Sequence, residues 1–198
     1  MTPAELAERA RLVFGDYAAM DAPDLPPGRW QSAQTRHHRW QSESFGAHPA
    51  TSFVLGIVEE VCDELMDGIM RDDRPAIIDA CADALIFGTG LCTLCRLDVG
   101  VIAEESVKRK GAGFDELGLV RVVGQLAHAT LKNAQRIRGM SDEAYRERVC
   151  DLMCELWRML LGVGRVYGFD IAAEYFATLD EVLKRDWRRD PTAGGQTT

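Results

Sequence analysis

The sequence predicts an all-α protein. Apolar residues recur along the chain with the 3.6-residue period of an amphipathic helix, and no run alternates long enough between apolar and polar residues to form a half-buried strand. Turn and cap signals, such as Asp73 before Pro75, divide the chain into segments of helix length. The chain has 198 residues, 46% of them apolar, and is therefore long enough to bury a core. Together these observations favour a helical bundle.

Local signals place each helix in turn. Thr2 and Pro3 suit the start of a helix that runs to about Met20, and three prolines within 22–28 predict a linker. A helical stretch from Trp30 to Phe45 follows. Longer helices are predicted over 50–71, 74–97, 99–110, 117–138, 142–167 and 171–188. Asp73, Ser141 and Asp170 are the predicted N-caps, and Gly139 and Gly168 the predicted helix stops.

A weak internal repeat suggests two helical hairpins of the same plan. A shift of 65 residues places the 58–63 run over 123–128, and a shift of 72 places Asp79 over Asp151 and Gly90 over Gly162. Chance similarity between amphipathic hairpins is the alternative. The predicted organisation is an N-terminal helix and linker (1–28), a first hairpin region (29–110), a second region packed on it (111–188) and a disordered tail (189–198).

The net charge of −8 is concentrated in one part of the chain. Residues 59–83 carry nine acids against two arginines, a local charge of −7. The sequence pI near 5.0 argues against nucleic-acid binding through a basic surface. The acids of this stretch are Glu59, Glu60, Asp63, Glu64, Asp67, Asp72, Asp73, Asp79 and Asp83.

A cytoplasmic, non-membrane protein is expected. The first 20 residues are charged and contain no apolar segment of the kind found in a secretory signal. The apolar run 76–95 contains Asp79 and Asp83, each of which costs roughly 2.5–3.5 kcal/mol at the centre of a membrane span. A buried soluble helix is therefore the better interpretation. The six cysteines lie in apolar helical surroundings and are predicted to pack in the core as free thiols.

Four of the carboxylates are candidate metal ligands. Asp79 and Asp83 lie one turn apart on a helix that is apolar nearly all round, so both are expected to be buried and to need a partner. Glu60 and Asp63 lie on one flank of the preceding helix. Carboxylate oxygens suit Mg²⁺ or Mn²⁺. Glu64, Asp67, Asp72 and Asp73 are better explained as a solvated surface, because helix faces and turns are routinely charged.

These residues resemble the MazG-like, all-α nucleoside triphosphate pyrophosphatases. The similarity covers roughly 38–188. It is carried by Trp40 with Phe45-Gly46, by the run 55–63, and by Asp79 with Asp83. The last two match the family's pattern of an acidic helix followed, one hairpin later, by a second acidic helix. Asp63 stands where the family has glutamate, and Ala80 where its strict second motif has the first acid. In the second hairpin, Gln125 and His128 occupy the acidic positions.

The resemblance implies a reaction and a set of site residues. A nucleoside triphosphate, deoxy in the favoured case, would be hydrolysed between its α- and β-phosphates, with two or more Mg²⁺ or Mn²⁺ ions per site. It implies Glu60, Asp63, Asp79 and Asp83 as metal ligands, and Glu59 or Glu64 as the residue that orients the attacking water. It also implies a homo-oligomer, a dimer or a tetramer.

Substrate contacts are predicted from charge and residue type. Residues 106–140 carry seven bases against two acids, and Lys108 and Lys132 are the candidates among them for phosphate binding. Trp40 and Gln41 are the candidates for contact with the base. A solvated surface and ordinary core packing are the respective alternatives.

Two other functions compete with the pyrophosphatase. A di-iron bundle needs two Glu-x-x-His pairs, and the four histidines supply none. A nucleotide-sensing or scaffold protein with the same fold and little activity is the non-enzymatic alternative, favoured by the missing acids of the second hairpin.

Overall fold

A computed structural model describes residues 28–109 and 114–190, and all regular structure in these two ranges is helical. The all-α prediction is confirmed for this part of the chain. The predicted helix to Met20, most of the proline linker and the tail from 191 onward lie outside it. The elements are α1 (Arg29–Phe45), α2 (Ala50–Glu59), a π-helical segment (Glu60–Leu65), α3 (Met66–Arg71), α4 (Arg74–Leu94), α5 (Val99–Lys108), α6 (Glu116–Gln135), α7 (Asp142–Tyr167) and α8 (Ile171–Val182).

The predicted N-caps are confirmed by their hydrogen bonds. The side chain of Asp73 accepts from the backbone N–H of Ala76 at 3.3 Å, Ser141 Oγ accepts from Ala144 N–H at 3.1 Å, and Asp170 accepts from Ala172 N–H at 2.9 Å. Each bond satisfies a backbone donor that the first turn of a helix leaves without a partner.

Several predicted helix ends are wrong. Helix α6 ends at Gln135, and its left-handed cap is Arg136 with φ of 54°, so Gly139 lies in the following turn and is not the stop. Gly168 does end α7, with φ of 71°. Helix α4 ends at Leu94 and α5 at Lys108, earlier than predicted. Helix α8 ends at Val182 and not at 188, and 183–190 forms a C-terminal turn segment without regular structure.

Helices α2 and α4 form a tightly packed antiparallel hairpin. A Cβ added at Gly56 would lie 2.4 Å from the Phe87 ring, and one added at Gly90 would lie 2.2 Å from the Phe53 ring. The two glycines therefore let the helices approach closely, and they set the positions of both rings. Beyond the π-helical segment the same register continues, with Gly68 against Ile77.

Helices α6 and α7 form the second hairpin and share one core with the first. Helix α2 packs on both α4 and α6, while α4 also packs on α7 and α8. Buried hydrogen bonds include Thr130 Oγ1 with Tyr145 Oη at 2.8 Å. The six cysteines are free thiols. Cys62 and Cys150 are only half-buried against the core, and the other four are buried as predicted. These are Cys81, Cys92, Cys95 and Cys154.

One helix in the described ranges is long and apolar enough to cross a membrane. This is α4, and 72% of its most apolar window is buried inside the fold. Burial of that kind is also what a core helix of a soluble protein shows.

Candidate functional site

The acids of the first hairpin lie on a local change of helix type. The segment Glu60–Leu65 is π-helical, with α-helix before and after it. In a π-turn the backbone hydrogen bonds run between residues five apart. Glu59 and Glu64 are both exposed and close enough that the charge of Glu59 raises the pKa of Glu64. Such turns inside α-helices are frequent at functional sites.

Glu60 is the most deeply buried of the candidate ligands, with 7% of its surface exposed. Its Oε2 is buried and accepts no hydrogen bond. Burial, and then the charges of Asp83, Glu64, Glu59 and Asp79, raise the pKa of Glu60 to about 9. A buried carboxyl group without a partner is costly, and a cation bound beside it would remove that cost.

The two aspartates of α4 differ from each other, and the prediction that both are buried is wrong. Asp79 is exposed and Asp83 is half-buried. Burial and the charge of Asp79 raise the pKa of Asp83 to about 6, while Arg185 acts in the opposite direction. Asp79 lies in the N-terminal part of α4, where Arg74 and Pro75 are also exposed to solvent. Glu60, and not Asp79, is therefore the buried carboxylate that needs a partner.

Five carboxylates influence one another across the hairpin, and we call them the acid cluster. Burial, followed by the charges of Asp79, Glu59 and Asp63, raises the pKa of Glu64. Asp63 is exposed and is not among the charges that raise the pKa of Glu60 or Asp83, so it lies at the edge. None of the five pairs with a base in the described ranges. The acid cluster consists of Glu59, Glu60, Glu64, Asp79 and Asp83.

The donor chemistry of the acid cluster fits a hard divalent cation. Every side-chain donor is a carboxylate oxygen, which Mg²⁺ and Mn²⁺ prefer. As the side chains lie, no three His, Cys, Asp or Glu residues of the described ranges converge closely enough to hold an ion. Binding would therefore require the carboxylates to rotate toward each other, which is possible for the exposed side chains of Glu59, Glu64 and Asp79.

An aromatic pocket of about 340 Å³ opens beside the acid cluster, and Asp83 belongs to both. Trp40 and Gln41 line it, and so do three phenylalanines. Planar, apolar walls of this kind suit a flat heterocycle, which would stack on the rings. The full lining is His37, Trp40, Gln41, Phe45, His48, Ser52, Phe53, Asp83, Ile86, Phe87, Val182, Arg185 and Trp187.

Two ring nitrogens of the pocket lining are buried without hydrogen-bond partners. They are His37 Nδ1 and Trp187 Nε1. His37 is 2% exposed, and burial lowers its pKa to about 4, so its imidazole is neutral at pH 7. Buried polar atoms are normally satisfied, and those left over in a pocket indicate places where a ligand can bond.

Arg185 and Trp187 reach the pocket because α8 ends early. Trp40 Nε1 donates to the carbonyl oxygen of Arg185 at 3.1 Å, and Arg188 Nε donates to the carbonyl oxygen of Ser44 at 3.2 Å. These bonds hold the C-terminal turn segment against the end of α1. The sequence prediction missed both pocket residues because it continued the helix to 188. The sequence signal that could have revealed them is a tryptophan among the five charged residues of 184–189.

The other predicted substrate residues lie away from this pocket. Lys108 pairs with Glu105 at 2.7 Å, and neither it nor Lys132 is in the lining of the pocket. Two arginines of the basic stretch also have acidic partners, Arg109 with Asp151 at 2.7 Å and Arg136 with Asp142 at 2.5 Å. In the described ranges the cation of the pocket lining is Arg185.

The second hairpin offers no comparable acid cluster at the corresponding positions. Gln125 and His128 are exposed, and Gln125 Oε1 accepts a hydrogen bond from Arg148 at 3.0 Å. Comparison with known proteins gives no independent assignment of the site: no family model, curated protein or solved structure matches the chain.

Proposed function

We propose that the protein is a metal-dependent nucleoside triphosphate pyrophosphohydrolase. The supporting observation is the buried, unpartnered carboxylate of Glu60 within an acid cluster that adjoins an aromatic pocket through Asp83. A nucleotide with its base in the pocket would extend its phosphates past Asp83 over the acids. The products would be a nucleoside monophosphate and pyrophosphate, and the favoured substrates are deoxynucleotides of the cellular pool.

The position of each residue in the site determines its proposed role. Glu60, Asp79 and Asp83 would hold Mg²⁺ or Mn²⁺, with two or more ions per site, and Asp63 would reach these ions only from the edge of the acid cluster. When bound, such ions neutralise phosphate charge and acidify a water. A carboxylate oxygen of Glu59 or Glu64 would accept a hydrogen bond from the attacking water and take its proton, while the water oxygen bonds to the α-phosphorus and pyrophosphate leaves with the bridging oxygen. Trp40 and Gln41 position the base.

Product analysis tests this function directly. We expect pyrophosphate when the protein is incubated with each of the four deoxynucleoside triphosphates, and with their ribose counterparts, in Mg²⁺ or Mn²⁺. Asp83→Asn is the matched inactive control. Release of orthophosphate, or no turnover of any nucleotide, would contradict the proposal.

A catalytically weak nucleotide sensor or scaffold is the second candidate. It is favoured by the side chains of the acid cluster, which do not converge on an ion site as they lie, and by Gln125 and His128 in the second hairpin. Nucleotide binding without turnover would identify it. For either function we propose a cytoplasmic homo-oligomer, a dimer or tetramer, that binds neither nucleic acid nor membrane.

A further inference from the structure

We propose that Arg185 binds the phosphate chain of the ligand that occupies the aromatic pocket. This inference rests on the proposed function, because it assumes that the ligand is a nucleotide. It concerns a residue outside the predicted basic stretch, on the C-terminal turn segment.

Arg185 lies where the phosphate chain of a bound nucleotide would extend out of the pocket. Arg185 lines the pocket together with Asp83, and its charge lowers the pKa of that carboxyl group against the effect of burial. It is half-buried and has no acidic partner within ion-pair distance in the described ranges. The guanidinium is therefore available to an anion, unlike the paired side chains of Lys108 and Arg109.

Three contacts position Arg185. Its guanidinium carbon lies 5.7 Å from the centroid of the Trp187 ring, and its carbonyl oxygen accepts the Trp40 Nε1–H bond at 3.1 Å. Arg188 ties the same segment to Ser44. The two tryptophans of the pocket thus hold the backbone and the side chain of one arginine. A ligand that stacks on these rings brings its attached group toward the guanidinium.

The geometry assigns different parts of a nucleotide to different residues. The aromatic side chains of the lining would hold the base, while Arg185 and Asp83, which belongs to both the pocket and the acid cluster, mark the side toward the acids. An acidic cluster alone repels phosphate, and a cation beside it offsets that repulsion. Arginine offers a planar pair of donors that matches phosphate oxygens, which lysine does not.

The test compares ligands with and without phosphates. For wild type, Arg185→Gln and Arg185→Lys, dissociation constants are measured by calorimetry in Mg²⁺ for the four deoxynucleosides and their non-hydrolysable α,β-methylene triphosphates. Lys184→Gln is the matched control, because Lys184 is the exposed neighbour and pairs with Glu181. We expect Arg185→Gln to weaken triphosphate binding about 10- to 100-fold and to leave nucleoside binding unchanged. Arg185→Lys should recover part of the loss, and Lys184→Gln should resemble wild type.

The outcomes separate this inference from the proposed function. If Arg185→Gln weakens nucleoside and triphosphate equally, or weakens neither, Arg185 does not bind phosphate. If wild type releases pyrophosphate while Arg185→Gln binds the triphosphate normally, the inference is wrong and the function stands. If wild type releases none but the phosphate-dependent loss occurs, the function is wrong and the inference stands. Circular dichroism and thermal melting of each variant check that the fold is intact.

Discussion

Glu60 carries the highest electrostatic cost in the proposed site. Its side chain is 7% exposed, one of its oxygens has no hydrogen bond, and four neighbouring acids oppose its ionisation. A buried carboxylate without a partner lowers the stability of the folded protein, and a bound cation would offset that loss. Asp83 has a different importance, because it is the acid that also lines the pocket.

Glu60→Gln should stabilise the protein when no divalent cation is present. Because the pKa of Glu60 rises from 4.5 to about 9 on folding, the folded state holds its proton more tightly, and the free energy of unfolding decreases as pH rises through this range. Glutamine does not ionise, so the variant does not lose stability in this way as pH rises. At pH 8 in EDTA we expect a gain of about 1–3 kcal/mol, measured by urea denaturation. Equal pH dependence in both proteins would contradict the buried-acid argument.

Asp83→Asn should abolish turnover and leave the fold intact. The substitution keeps the size of a half-buried side chain but removes the charge that joins the pocket to the acid cluster. We expect at least a 100-fold fall in kcat for pyrophosphate release, with unchanged helical content by circular dichroism. Full activity in this variant would exclude Asp83 as a ligand.

At the scale of elements, the hairpin of α2 and α4 builds both parts of the site. Its register brings the acids of the π-helical segment opposite those of α4, and its two glycines seat Phe53 and Phe87 in the pocket wall. The early end of α8 completes that wall with Arg185 and Trp187. Packing of these helices should therefore affect ligand binding in the pocket as well as stability.

Gly56→Ala should destabilise the protein and disturb the pocket. The new Cβ would lie 2.4 Å from the Phe87 ring, so the helices must separate or the ring must move. We expect a loss of about 1–3 kcal/mol in the free energy of unfolding and weaker nucleotide binding. Gly124→Ala is the matched control, since Gly124 lies on the exposed face of α6 with nothing within 4 Å of its added Cβ. It should gain about 0.5–1 kcal/mol from helix propensity. Equal effects of the two changes would refute the close-packing account.

At the scale of the whole molecule, the net charge of −8 is concentrated in one segment of the chain. Most of it belongs to residues 59–83, where the acid cluster lies, while described bases such as Arg109 and Arg136 are paired with local acids. Two divalent cations would cancel four of these negative charges. The stability of the protein should therefore depend on divalent cations.

Mg²⁺ or Mn²⁺ should raise the melting temperature. At a concentration 100 times the dissociation constant, binding to the folded state adds about 2.7 kcal/mol, or roughly 5–10 °C for a chain of this size. Calorimetric melting with and without the ion measures this. Asp83→Asn should lose most of the shift, and Glu104→Gln, an exposed acid on α5, should keep it. An equal shift in all three proteins would indicate non-specific screening.

Light scattering should give a mass two or four times 22.0 kDa, the mass of one chain. The homo-oligomer is our proposal from the sequence resemblance, and a mass of 22.0 kDa across the micromolar range would contradict it.

The sequence by itself determined the helical class, the helix starts and the position of the acids on two successive helices. Periodicity and capping are local, so Asp73, Ser141 and Asp170 could be identified without the fold. Only the tertiary structure decided that Glu60 and not Asp79 is buried, that Asp63 lies at the edge, and that Arg185 and Trp187 complete the pocket. Burial depends on which helix covers a residue, and α8 ends where the segment after it docks on α1. The docking surface on α1 is 145 residues from Arg185 in sequence, and so it cannot be inferred from local pattern.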